Sequence, residues 1–364
     1  MQHDQGRLRV AIVAPPWYTV PPAGYGGINQ QVYLMARGLH SLGHEVTVFC
    51  REGSRPEGYE ITTAADPNWS PDEVGADYEI RYLVYLTRVY DRLRADRFDV
   101  VQEHTNRGAM IAAMLRLTCP LVVTVHEPMT EAQICLLREI GQRAIFVAVS
   151  QGQVRQAPEV GFRTWIHESI DPSQYLAGAR KRDFLLHLAR ISPEKGQHIA
   201  IEVARRAGLP LVLAGKVDWN AAAYFEREVK PHLGPAVKWI PDLSGTAKLE
   251  MLASARCMLF PIQWEEPFGA AMIEAMASGT PVLAAPRGSA PELVEPGRTG
   301  WLCDTTDEFV AALGRLSTIS PAQCAERARE RFDSQTMVRA YDRLYRQLLH
   351  DGGDLGAALP TRPD

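Results

Sequence analysis

The sequence predicts an α/β protein made of two doubly wound, mostly parallel sheets. Three observations carry that expectation. Short apolar runs alternate with longer amphipathic stretches, which is the pattern of repeated βαβ units. The pattern runs through twice, interrupted by a polar, irregular stretch from Glu168 to Arg182. The 364 residues also suit two domains at about 150 residues each.

In chain order, a polar segment from Met1 leads into a strand at Leu8–Ala14, whose apolar part Val10–Ala14 is too short for a signal peptide's apolar region or a membrane span. A cytoplasmic location is the default expectation. A helix follows over Asn29–Leu42, with Val32, Leu34, Met35, Leu39 and Leu42 at helical spacing and Gly43 as its stop. Further strands are expected at Glu45–Cys50, Val100–Gln102, Leu121–Val125 and Ala144–Val149. The second series places strands at Phe184–Leu188, Leu211–Ala214, Val237–Ile240, Cys257–Phe260 and Val282–Ala285. Helices fall between them at Gln197–Ala207, Ala221–His232, Lys248–Ser254 and Phe268–Ala277. A last amphipathic helix spans Ser334–His350, and the Gly- and Pro-rich tail 351–364 reads as frayed. The expected domains are therefore 1–168 and 169–333, with the polar stretch as linker. Open α/β sheets bind ligands at the carboxyl ends of their strands, so two such domains facing each other would place a ligand in a cleft between them.

Composition narrows the function. With 39 Lys plus Arg against 43 Asp plus Glu, the net charge is −4, and the basic excess of a nucleic-acid or anionic-membrane binder is missing. The six cysteines (Cys50, Cys119, Cys135, Cys257, Cys303, Cys324) form no C-x-x-C pair and sit mostly in apolar contexts, as small buried hydrophobes do. No metal site is expected.

The most informative window runs from Trp264 to Val282. Pro267 lies where a helix can begin, and Gly269, Ala270 and Ala271 keep its first turn free of bulk. Such a helix start presents unpaired N–H groups to a phosphate oxygen. Glu266 precedes the turn and Glu274 lies inside the helix, so the two carboxylates can reach hydroxyl-rich groups on either side of an anionic centre. That arrangement suits a sugar–diphosphate–nucleoside, although a surface Glu plus a helix-cap Glu would show the same spacing. Arg190 and Lys195 lie in the loop after the first strand of the second domain, where two cations can neutralise a diphosphate or stand as solvated charges on a turn. In the first domain, Gly26 and Gly27 allow close backbone approach to a ligand and equally suit a flexible loop. They do not complete a G-x-G-x-x-G dinucleotide fingerprint. His126 and His104 each follow a strand, where an imidazole could bond a hydroxyl near a reacting carbon.

Together these residues resemble the family 4 retaining glycosyltransferases of the GT-B fold, from Arg9 to about Leu349. The strongest piece is the E-x7-E motif, Glu266 to Glu274, with the following Ala-Met-Ala-Ser-Gly-Thr-Pro-Val run. The Pro-Pro-Trp opening and the segment Pro-Pro-Ala-Gly-Tyr-Gly-Gly are similar to a subgroup that includes an avilamycin-pathway glycosyltransferase. The resemblance implies that Glu274 binds ribose hydroxyls and Glu266 the donor sugar. It implies that Arg190 and Lys195 hold the diphosphate with backbone help from Gly269, Ala270 and Gly27, that His126 sits beside the sugar, and that the last helix completes the first domain. Phe268 joins the donor-binding set, and the segment around Ile240 is expected to meet the base. Three departures stand out: Ala189 before Arg190 where the family often has Gly, His167–Glu168–Ser169–Ile170–Asp171 where Pro-Asn-Gly is common, and Gly288–Ser289–Ala290 in place of a glycine pair.

The expected function is transfer of a glycosyl group, with retention, from a nucleoside diphosphate sugar (a UDP-sugar foremost) to an acceptor hydroxyl, with no cofactor. A sugar-nucleotide epimerase, a phosphorylase of the same architecture and a catalytically silent sugar-nucleotide-binding protein are the alternatives. Acceptor choice is expected in first-domain loops such as Glu52–Tyr82.

Overall fold

The computed structural model describes residues 6–24, 26–65, 77–105, 107–108 and 117–351. Tyr25, Asn106, part of the proposed acceptor loop (66–76) and the tail from 352 lie outside them. The chain forms two compact units, one of residues 1–168 and 334–364, the other of 169–333.

The first unit holds a seven-stranded sheet with the order β3-β2-β1-β4-β5-β6-β7. Its strands are β1 (Arg9–Val13), β2 (Glu45–Arg51), β3 (Glu60–Ala65), β4 (Val100–Glu103), β5 (Leu121–Val125), β6 (Ile145–Ala148) and β7 (Thr164–Trp165), and every pairing is parallel. A parallel sheet is covered on both faces, which is why a continuous apolar run such as β5, buried throughout, reads as a strand without alternation. The helix Gly27–Ser41 buries Val32, Leu34, Met35 and Leu39, and Gly43 follows it at φ 93°, a left-handed position that suits glycine.

The helix Ser334–His350 packs into this first unit, burying Met337, Val338, Tyr341, Leu344, Tyr345 and Leu348 with residues of β1, β2 and the helix Gly27–Ser41. Gly38 makes that approach close: a Cβ there would lie 2.3 Å from Val338. Beneath the helix runs a buried polar chain. The Tyr345 hydroxyl donates to Gln102 Oε1 (2.8 Å), Gln102 Nε2 donates to Thr124 Oγ1 (2.9 Å), and Thr124 Oγ1 lies 2.7 Å from the Tyr341 hydroxyl.

The second unit holds a six-stranded parallel sheet, ordered β10-β9-β8-β11-β12-β13. These are β8 (Leu185–Leu188), β9 (Leu211–Ala214), β10 (Val237–Ile240), β11 (Cys257–Phe260), β12 (Val282–Ala284) and β13 (Gly300–Leu302). Its helices include Gln197–Ala207, Gly245–Ser254 and Ala270–Ala277. The expected helix Ala221–His232 is broken into an α turn (Ala222–Tyr224), a π turn (Phe225–Val229) and a 3-10 turn (Lys230–His232). Pro231 near its end removes a backbone donor.

The stretch from Glu168 to Arg182 does not act as a free linker. From Ser169 onward it belongs to the second unit: Ile170 N–H bonds Phe332 O (2.9 Å), Arg182 N–H bonds Ser254 O (2.7 Å), and Lys181 Nζ donates to Ala253 O (2.8 Å) and Thr280 Oγ1 (2.5 Å). Cys50, Cys257, Cys303 and Cys324 are buried free thiols, in keeping with their apolar sequence contexts.

Candidate functional site

Lys195 and Glu266 are brought together by loops at the carboxyl ends of β8 and β11. After β8 the chain is held by Ala189 N–H to Ala214 O (3.0 Å) and Ile191 N–H to Lys216 O (2.8 Å), then turns through Pro193–Lys195 to Gly196. Gly196 has φ 74°, and a Cβ there would lie 2.0 Å from Pro261 O. Only glycine lets this basic loop lie against the segment after β11. Lys195 Nζ thereby reaches Glu266 Oε2 at 2.5 Å. The same oxygen accepts Trp264 Nε1–H at 2.8 Å, and the ammonium lies 4.5 Å from the Trp264 ring centroid, within cation–π range.

A second loop closes on Glu266 from β12. Ser289 N–H donates to Glu266 O (3.0 Å) and Gly288 N–H to Glu265 Oε2 (2.6 Å). Gly288 has φ 56°, and its absent Cβ would meet Glu266 O at 2.2 Å, so this segment keeps the one glycine that the contact requires. Gly269, at φ 81°, caps the helix Ala270–Ala277, whose first turn carries Ala270 and Ala271. Phe268 turns its ring into the core against Phe332, 6.2 Å between centroids, and is 2% exposed.

Glu274 is held by two residues that the sequence did not single out. Its Oε1 accepts from Lys248 Nζ (2.8 Å) and from the Tyr175 hydroxyl (3.3 Å). Burial, reinforced by the Glu274 charge, pushes the Tyr175 hydroxyl far above its usual range, so it remains a donor. Arg190 pairs with Asp218, another unforeseen partner, and keeps about a third of its side chain exposed. Gln197 Nε2 donates to Arg190 O at 2.8 Å. Ile240, at the end of β10, accepts Gly215 N–H through its carbonyl (2.9 Å), and the neighbouring Trp239 Nε1–H donates to Gly215 O (2.9 Å).

The remaining candidates lie in the first unit. Gly26, at φ 144°, precedes the helix Gly27–Ser41. A Cβ on Gly26 would press on Pro22 at 2.9 Å, whereas one on Gly27 would meet nothing within 4 Å. Asn29 Nδ2 donates to Pro15 O (3.1 Å) and Tyr18 O (2.8 Å), fixing this loop. At the carboxyl ends of β4 and β5, His104 Nδ1 lies 2.9 Å from His126 Nε2, and His126 Nδ1 lies 2.9 Å from Glu168 Oε1. Both ring nitrogens of His126 are thus engaged within its own unit. A carboxylate acceptor requires the His126 proton on Nδ1. Burial, with His126 beside it, holds the His104 imidazole well below its usual range, and among the described residues its Nε2 has no partner.

His187, inside β8, hydrogen-bonds Leu259 O through Nδ1 (2.9 Å), which fixes the proton there. Burial pushes it down to about 4, so it is neutral at neutral pH. Among the described residues, no group of three or more His, Cys, Asp or Glu is placed to hold a metal ion, and no helix is long and apolar enough to cross a membrane.

Comparison with known proteins identifies the family and the fold. A model of Glycosyltransferase Family 4 matches residues 25–174, and a model of Glycosyl transferases group 1 matches residues 174–331. Glycogen synthase of Mycobacterium tuberculosis is 26% identical over 400 residues, spanning 93% of this chain and 94% of the synthase. The crystal structure of AviGT4, a glycosyltransferase involved in avilamycin A biosynthesis, superimposes with TM-score 0.72 and 26% identity, covering 96% of this chain and 99% of that one. Anabaena HepE in complex with UDP and glucose gives TM-score 0.74 at 18% identity, covering 94% of this chain and all of that one, a likeness of fold. With two parallel-sheet units and both family models in sequence order, the chain belongs to the family 4 glycosyltransferases of the GT-B fold.

Proposed function

We propose that this glycosyltransferase takes its sugar from a nucleoside diphosphate sugar and transfers it to an acceptor hydroxyl with retention at the anomeric carbon. The observation that carries the proposal is the pair of carboxylates flanking the Gly269 helix start. Glu266 and Glu274 each have one oxygen fixed by a lysine and an aromatic donor, and among the described residues the other oxygen of each has no hydrogen bond. Two oriented acceptors on either side of an anion-binding helix terminus match a ligand with hydroxyls on both sides of a diphosphate. In this reading Glu274 takes the ribose, Glu266 the donor sugar, and Lys195, Arg190 and the backbone at Gly269 and Ala270 the diphosphate. The segment at Ile240 meets the base. UDP, the nucleotide in the HepE complex, is the first nucleotide to test.

No side chain stands as a covalent nucleophile in this scheme. The anomeric carbon–oxygen bond to the diphosphate breaks while the acceptor oxygen bonds the same face, and the acceptor's proton passes to the departing phosphate oxygen. The protein's work is positioning and stabilising the charge that develops on the diphosphate. Lys195, Arg190 and the helix terminus supply that positive potential, so the proposal calls for no divalent cation.

The test is product analysis with a donor and acceptor panel, reading the anomeric configuration by NMR. Lys195→Ala and Glu274→Ala should each lose most transfer; near-normal turnover in either variant contradicts the proposal. Turnover of donor without acceptor would favour the epimerase alternative.

A further inference from the structure

We propose that Lys248 reads one hydroxyl of a vicinal diol beside Glu274, making the nucleotide pocket select ribonucleotides over 2′-deoxyribonucleotides. The inference rests on the nucleoside-diphosphate reading above and adds to it a residue and a selectivity. Lys248 lies in the first turn of the helix Gly245–Ser254, with its ammonium 2.8 Å from Glu274 Oε1. A lysine ammonium has three hydrogens, and among the described residues the Lys248 ammonium makes only this one hydrogen bond. Its side chain is 28% exposed and that of Glu274 16%, so the pair is shielded yet open on one side.

The geometry limits how a diol can bind. A free carboxylate can take two hydroxyls, one on each oxygen. Here Oε1 already accepts from Lys248 and Tyr175, which leaves Oε2. The 3′ hydroxyl donates to Oε2, and its 2′ neighbour is left facing the ammonium, from which it accepts. Removing the 2′ hydroxyl strands an ammonium hydrogen in a partly shielded place, and such unpaired groups are what make a site reject the deoxy analogue.

Titration calorimetry of the full chain tests this, using UDP, GDP, ADP and CDP beside their 2′-deoxy counterparts. For the nucleotide that binds, the ribo form should be about tenfold tighter or more, the effect of one stranded polar group. In Lys248→Met the ribo-to-deoxy ratio should collapse toward one. A lysine that only braced the helix would weaken both forms equally and leave the ratio unchanged, and that result overturns the inference. So does a wild-type ratio near one, which needs no variant to measure. Lys195→Met separates the underlying reading. If it leaves nucleotide binding intact, the diphosphate site itself is misplaced and the inference falls with it; if binding drops while the Lys248→Met ratio holds, only the inference fails.

Discussion

Glycine at 288 decides where the Glu266 carboxylate stands. Its φ of 56° belongs to the left-handed region, and its missing side chain leaves room for Glu266 O, which a Cβ would meet at 2.2 Å. Alanine there takes on a backbone penalty of about 1–2 kcal/mol and pushes against main chain, which cannot swing aside as a side-chain tip can. Gly288→Ala should therefore displace Glu266 and cut transfer about a hundredfold, the usual effect of a misplacement near 1 Å, while the circular dichroism spectrum stays native. Unchanged kcat/KM would show that Glu266 is not held by this contact. Glu266, Glu274, Arg190 and Lys195 were legible in the sequence because each lies a fixed few residues from a strand end or helix start. Asp218, Lys248 and Tyr175 were not. They reach the site from 28, 26 and 99 residues away, and Tyr175 sits in a stretch whose polarity looked like a linker.

At the scale of elements, legibility followed burial. The helices Gln197–Ala207 and Ser334–His350 have the bounds the amphipathic pattern gave. Three strands were missed: β3, β7 and β13, each at the edge of its sheet. An edge strand has a neighbour on one side only, so it need not carry the apolar run that marks β5. The helix Tyr78–Ala95 also went unread, beside the loop region where sequence alone carried little pattern. The C-terminal helix gives the clearest stability prediction. Gly38→Ala would put a methyl 2.3 Å from Val338, whose branched side chain has little freedom to yield. Overpacking of this kind costs about 1–3 kcal/mol, and denaturant unfolding should read that loss. A neutral or stabilising outcome would mean that the two helices separate more easily than their packing implies.

Across the whole molecule, the buried imidazoles set how the protein meets acid. His187 titrates near 6.5 when unfolded and at about 4 when folded, burial being the main cause. The unfolded chain therefore binds the proton first, and stability present above pH 6.5 is lost as pH falls toward 4. A shift of this size corresponds to about 3 kcal/mol. His104 pulls in the same direction. For Asp342, burial pushes the carboxyl up, but the His44 hydrogen bond and the Arg346 charge outweigh it and leave it below the ordinary aspartate range. Its contribution is present above the usual aspartate pKa and is lost at still lower pH. His187→Leu should flatten the stability curve between pH 6.5 and 4; an unaltered slope would place the acid sensitivity elsewhere. The acidic balance, −4 overall, says nothing against an anion site, because a few cations and one helix terminus supply the local potential.

The central claim is that the second unit binds a nucleoside diphosphate through Lys195, and calorimetric titration of UDP, GDP, ADP and TDP into the wild-type chain and Lys195→Met tests it most directly. At least one diphosphate should bind the wild type and bind the variant about tenfold more weakly or worse, as expected for a lost charge-assisted hydrogen bond. Equal affinity in the two proteins, or no binding of any diphosphate to the wild type, would contradict it.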